Sequence, residues 1–251
     1  MSFDLTLDNY RSLCRAIKHR QSDCRVLNHL DSAENNSTII LRHDVDRKPK
    51  RALRMARIES DVGVRSTYYF RSTKEAFIPE IMKEIEKMGH EVGYHYEVLV
   101  KAKGDHVQAM KLFENDIDSF REHVEIRSIC SHGSPLSKYD SRDIWADNSF
   151  LQFGIVGDAS ISVFGFAYYS DTGGKWDSKA NLRDNVKSDD GGSSVSTTSE
   201  IIELLINNNN VYINCHPERW TLNIVESVNQ SIKDTAINVV KLLIKFARRN
   251  G

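Results

Sequence analysis

Two carboxylates and an imidazole follow directly on a short apolar run in Ile39-Ile40-Leu41-Arg42-His43-Asp44-Val45-Asp46. If that run is a β-strand, alternation puts Asp44 and Asp46 on one face and turns His43 to the other. The segment Gly93-Tyr94-His95-Tyr96-Glu97 repeats the arrangement, with His95 and Glu97 expected on a common face. His132 follows the β-prone run RSIC, and His216 follows VYIN. Carboxylate oxygen and imidazole nitrogen are donors that suit a divalent ion, zinc above all, which keeps a position open for water when it is catalytic. Such an ion lowers the pKa of its water, a nearby carboxylate can take the proton, and an imidazole can protonate a leaving group.

The elements that must position these groups alternate along the chain. LDNYRSLCRAIKHR has helical spacing and is followed by the polar loop DSAENNS. TIILRHDV reads as a buried strand, KRALRMARIESDVG as a helix stopped at Gly63, and RSTYYFR as a second strand. A helix ending at Gly89, the strand HEVGYHYEV, a long helix after Gly104 and the strand RSIC come next. The second half is less regular. SVFGFAYYSDTGGKW suggests one or two strands and a turn, and DDGGSSVSTTS a surface loop. SEIIELLINNN suggests a helix, VYINCHPERW a strand entering a loop, and SVNQSIKDTAINVVKLLIKFARR a closing helix. Strands alternating with helices imply a parallel sheet, whose C-terminal strand ends carry the site.

The chain has 251 residues and a formal net charge of −1. One domain over 1–251 is expected, with a helical extension at about 1–36. The balanced charge points to neither nucleic acid nor a membrane surface, and no apolar run suits membrane insertion. The first residues lack an apolar export core, so a cytoplasmic protein is expected. Cys14, Cys24, Cys130 and Cys215 lack paired spacing and read as reduced thiols. Oligomeric state is left open.

Taken in order, these segments resemble the motifs of the polysaccharide deacetylase superfamily, the NodB-homology or carbohydrate esterase family 4 proteins. The likeness runs from about Ile39 to Trp220. It implies an irregular (β/α) barrel of about seven strands. LRHDVD resembles the first motif, in which paired aspartates supply a catalytic base and a metal ligand. Here Val45 separates them, Asp44 matching the base and Asp46 the ligand. GHEVGYHYEVL resembles the second motif, which carries two histidines. His95 takes the first place, while Leu99 stands at the second. Glu97 or His132 could complete the metal shell. SHGSP resembles the third motif with His132 in place of an arginine. YSDTGGKW resembles the fourth, offering Asp171 and Trp176 as wall residues. VYINCHPERW resembles the last, whose histidine, here His216, is the catalytic acid.

The resemblance implies a metal-dependent hydrolase, with zinc the expected ion, that removes an N-acetyl group from a carbohydrate or sugar intermediate. Surface-polysaccharide biosynthesis is the expected setting. His43, Asp171, Trp176 and Arg183 are expected at the substrate, with Arg42 as another cation for a substrate carboxylate. Trp145, Tyr168 and Tyr169 are further candidates to stack on a sugar ring. Two other readings stand beside this one: a catalytically inactive carbohydrate-binding barrel, and a hydrolase of another small amide or imide.

Overall fold

The structure, a computed structural model, describes residues 4–30, 39–134, 136–176, 195–207, 210–222 and 226. Arg183 and the expected closing helix lie outside the described residues. The helices are α1 (Leu7–Lys18), α2 (Val26–Leu30), α3 (Pro49–Val62), α4 (Pro79–Lys87), α5 (Val98–Lys101), α6 (His106–Arg121) and α7 (Thr198–Asn207). The strands are β1 (Ile39–Val45), β2 (Thr67–Phe70), β3 (Glu91–Tyr96), β4 (Ser128–Ser131), β5 (Gly157–Asp158), β6 (Ala167–Ser170) and β7 (Val211–Cys215). Among the described residues the seven strands are all parallel, in the order β5-β4-β3-β2-β1-β7-β6, and the sheet curls into a half-barrel.

Every residue of β1 is buried, as expected for a central parallel strand covered on both faces. Alternation sorts its side chains. Ile39 and Leu41 pack outward against Tyr10, Leu13 and Ile17 of α1 and Met55 and Ile58 of α3. Val45 packs outward with Tyr68, Phe70, Tyr94 and Phe113. Ile40 points inward, where it meets Tyr69, Cys130 and Tyr212. Tyr69 crosses the interior so closely that a Cβ on Gly93 would lie 2.3 Å from its ring. Only glycine fits opposite that ring.

The ends of β1 and α3 are fixed by local chemistry. Beyond Val45 the chain turns at Lys48, whose φ of 53° lies in the left-handed region, and Pro49 opens α3. A lysine held there is strained, and it sits two residues from Asp46. Gly63, at φ 83°, closes α3 where the sequence places its stop. β5 has only two residues, too few for any periodic signal. No helix among the described residues is long and apolar enough to cross a membrane.

Candidate metal centre

Asp46, His95 and His132 converge at the C-terminal ends of β1, β3 and β4. Their ligand atoms all lie within 4.8 Å of one another. Asp46 Oδ1 is 3.4 Å from His132 Nε2 and 3.7 Å from His95 Nε2. Two donors held about 2 Å from one tetrahedral ion stand about 3.3 Å apart, so these separations suit a shared ion.

The polar atoms around the group fit a cation as well. Asp46 Oδ1 is buried and has no hydrogen-bond partner among the described residues, a costly state unless something else satisfies it. His95 Nδ1 lies 3.0 Å from the carbonyl oxygen of Cys130 and must donate to it, since a carbonyl only accepts. Burial lowers the pKa of His95, with Asp44 pulling the other way, so the ring is kept neutral and Nε2 carries a lone pair toward Asp46. His132 shows what the pocket favours. Burial opposes its charge, but Asp46 and Glu97 outweigh burial and raise its pKa to about 9. Burial also disfavours ionised Asp46, yet His132 and then His95 hold the carboxyl well below its usual range. The half-buried Asp46 and His132 and the buried His95 could therefore hold a metal ion.

Asp44, His95 and Cys130 form a second group within the same 4.8 Å limit, and it shares His95 with the first. The guanidinium of Arg42 lies 2.9 Å from Asp44 Oδ2 and counts against a cation there. Arginines partner the other acids of the site too. Arg71 pairs with Glu97 at 2.7 Å, Arg219 with Asp171 at 3.2 Å, and Arg47 with Glu218 at 3.5 Å. Asp46 has no arginine within ion-pair distance among the described residues; its partners there are the two histidines.

Asp44 and His216 flank this group. Asp44 Oδ2 accepts from Arg42 Nη2 at 2.9 Å and from Asn214 Nδ2 at 3.0 Å, while its buried Oδ1 has no hydrogen-bond partner among the described residues. Register explains the pairing, because Arg42 on β1 sits opposite Asn214 on β7. His216 Nδ1 donates to Asp171 Oδ1 at 2.6 Å, leaving Nε2 as the nitrogen that can pass a proton outward. Burial and Arg219 oppose charge on His216, but Asp171 outweighs them and raises its pKa. In return, His216 and Arg219 hold Asp171 below its usual value against burial.

Several expected site residues are placed elsewhere. His43 is on the outward face of β1, stacked on Tyr68 with ring centroids 4.1 Å apart, and it lies 3.0 Å from Glu59. It lines the helix layer and not the site, as strand alternation requires. Trp176 is 2% exposed, donates from Nε1 to Thr198 Oγ1 and packs on Trp220, so it offers no open face to a sugar. Tyr169 is buried in the same outer cluster. Tyr168 turns into the barrel, where its hydroxyl accepts from Asn214 at 3.1 Å, and Trp145 donates to the Tyr96 hydroxyl at 2.9 Å. Asp171 serves His216. Arg42 serves Asp44 inside the barrel and does not await a substrate carboxylate. Glu97 lies beside the metal group but outside it: β3 stops at Tyr96, and Glu97 adopts φ −142° and ψ 31° as α5 begins. The face shared with His95 is lost at that turn.

Glu218 is a site residue that strand reasoning passes over. It lies in the 3-10 turn Pro217–Arg219 after β7, is fully buried, and neither carboxylate oxygen has a hydrogen-bond partner among the described residues. Burial first, then the charge of Asp46, raises its pKa. Its one signal in the sequence is a charged Glu-Arg pair set between His-Pro and a tryptophan.

No family model matches this chain, and no curated protein matches it.

Proposed function

We propose that this protein is a metal-dependent hydrolase that cleaves a linear amide, removing an N-acetyl or related acyl group from a sugar derivative. The observation that carries the reading is the meeting of Asp46, His95 and His132 beside an Asp44 oxygen without a partner among the described residues and an aspartate-held His216. Zinc is the preferred ion, since one carboxylate and two imidazoles leave a fourth position open. When bound, such an ion polarises a carbonyl and lowers the pKa of water.

The chain's own residues divide the remaining work. Asp44 Oδ1 accepts the proton of the attacking water. Arg42 and Asn214, both on Oδ2, keep that carboxylate from turning away. His216 Nε2 gives a proton to the departing nitrogen as the C–N bond breaks, and Asp171 stabilises the imidazolium that does so. The products are a carboxylic acid and an amine. The sugar half of the proposal, and surface-polysaccharide biosynthesis as its setting, rest on the motif resemblance, because the aromatic walls expected for a sugar are used in packing.

The test is acetate release from a panel of N-acetyl sugars by zinc-loaded protein, with Asp44→Asn as control. Release that depends on metal and disappears in Asp44→Asn is expected. Metal-loaded protein that hydrolyses none of the panel but opens a cyclic imide would move the reaction to a different bond.

A further inference from the structure

We propose that Glu97 and Arg71 are positioning residues which hold His132 as the replacement for the metal ligand missing at Leu99. This inference rests on the metal-centre reading above, and its test is read from metal binding and not from hydrolysis.

Both oxygens of Glu97 are already engaged. Arg71 Nη2 straddles them at 2.7 Å each, and His132 Nδ1 lies 3.1 Å from Oε2. Serving as a ligand would require Glu97 to leave this arginine. His132 is gripped at the nitrogen facing away from Asp46: Nδ1 meets Glu97 and, at 2.8 Å, Ser134 Oγ. Ser134 takes a φ of 31°, a left-handed conformation unusual for serine, in the turn that presents this hydroxyl. The His132 backbone N–H donates to the carbonyl of Tyr96 at 2.8 Å, so its Cα is tied to β3 as well. With ring and backbone both held, Nε2 is aimed at Asp46 Oδ1.

A carboxylate bonded to the far nitrogen of a ligating imidazole sets its tautomer and strengthens it as a donor. Arg71 in turn holds Glu97 in place through both of its carboxylate oxygens. The four residues come from four successive places in the barrel wall. Asp46 follows β1, Arg71 follows β2, Glu97 follows β3 and His132 follows β4. Leu99, by contrast, points into the outer apolar cluster with Phe113 and Ile117 and cannot reach the group.

The test is metal affinity by competition with a chromogenic chelator, together with the visible spectrum of cobalt(II) as a probe ion. Wild type should bind one ion. Glu97→Gln should weaken binding about 10- to 100-fold, with Arg71→Lys weakened in the same direction. At saturating cobalt, Glu97→Gln should keep the wild-type spectrum, since the donor set is unchanged, whereas His132→Ala should not. Thermal melts of the metal-free variants identify any that fail to fold, and Arg71→Lys, which keeps the charge, then stands alone as the test. Wild-type affinity in both Glu97→Gln and Arg71→Lys would overturn the inference, as would a Glu97→Gln spectrum changed like that of His132→Ala. A wild-type protein that binds no ion would overturn the metal centre itself. Bound metal without hydrolysis overturns only the proposed reaction.

Discussion

Asp171 holds both the ring and the backbone of His216. Its Oδ1 accepts from Nδ1 at 2.6 Å, and both oxygens lie 3.0 Å from the His216 backbone N–H. Trp220 Nε1, at 2.8 Å, and Arg219 fix the same carboxylate from the other side. His216 therefore has one available orientation and a stabilised cationic form.

Replacing Asp171 by asparagine removes the charge and keeps the size. Turnover should fall by roughly 10²- to 10⁴-fold, with metal content unchanged. Asp171 raises the pKa of His216, so its loss should move the alkaline limb of the kcat profile to lower pH. An unshifted limb would remove His216 from the acid role.

Zinc should stabilise the folded protein, because the ligand set exists only when β1, β3 and β4 are assembled. At about 100 times its dissociation constant a ligand contributes about 2.7 kcal/mol. A calorimetric scan should show a higher Tm with zinc, reversed by a chelator, and no zinc effect in Asp46→Asn. An equal zinc effect in that variant would place the ion elsewhere.

Leu99 is a packing residue, 2% exposed within the outer cluster. Leu99→Ala should cost about 2–5 kcal/mol in urea unfolding while metal affinity stays at the wild-type value. A marked loss of affinity at full folding would tie this position to the site after all.

Glu59 makes acid stability measurable at a distance from the site. It is fully buried, 3.0 Å from His43 and 3.3 Å from His90, and accepts from Tyr10, Tyr68 and Ser66. Burial opposes its charge, but His43 and then His90 bring its pKa from 4.5 down to about 2. A depressed carboxyl contributes stability above its unfolded pKa and loses it as pH falls through the folded one. About 3 kcal/mol should disappear between roughly pH 5 and pH 2. His90, whose pKa is lowered mainly by burial, adds to the loss in the same direction below its ordinary value. Glu59→Gln should flatten the acid limb of unfolding free energy against pH by about that amount, and an unchanged limb would assign the acid loss to other groups.

Glu218 should behave in the opposite way. Its pKa is raised by burial and by Asp46, so its charge destabilises the metal-free fold increasingly as pH rises above the ordinary carboxylate range. Glu218→Gln should leave stability unchanged at low pH and raise it by about 1–3 kcal/mol at neutral pH. A neutral-pH loss would mean that the Arg47 ion pair outweighs the burial.

Asp44 and Asp46 were legible as a pair because alternation is a local rule, and β1 obeys it from Ile39 to Val45. The same rule turns His43 away from the site, against its expected place at the substrate, and the structure keeps it turned. It failed at Glu97, where the strand ends one residue earlier and the side chain swings toward β4. Arg42 misled for another reason. Its spacing from Asp44 permits an internal pair, but a buried arginine is rare enough that an exposed one is the ordinary expectation. Trp176 looked like a binding platform because an aromatic residue carries no mark of which neighbours it packs on.

What the chain determines by itself is local: apolar runs, their helical or strand period, and the polar residue at which each run ends. Those features were enough for a parallel α/β sheet and for candidates at the strand ends. Which candidates meet was decided by tertiary structure. Strand order brings β1 within reach of β3 and β4 across β2, and the curl of the sheet points Asp46, His95 and His132 at one spot. Strand neighbours and curvature depend on contacts between residues far apart in sequence, and no short stretch encodes them alone.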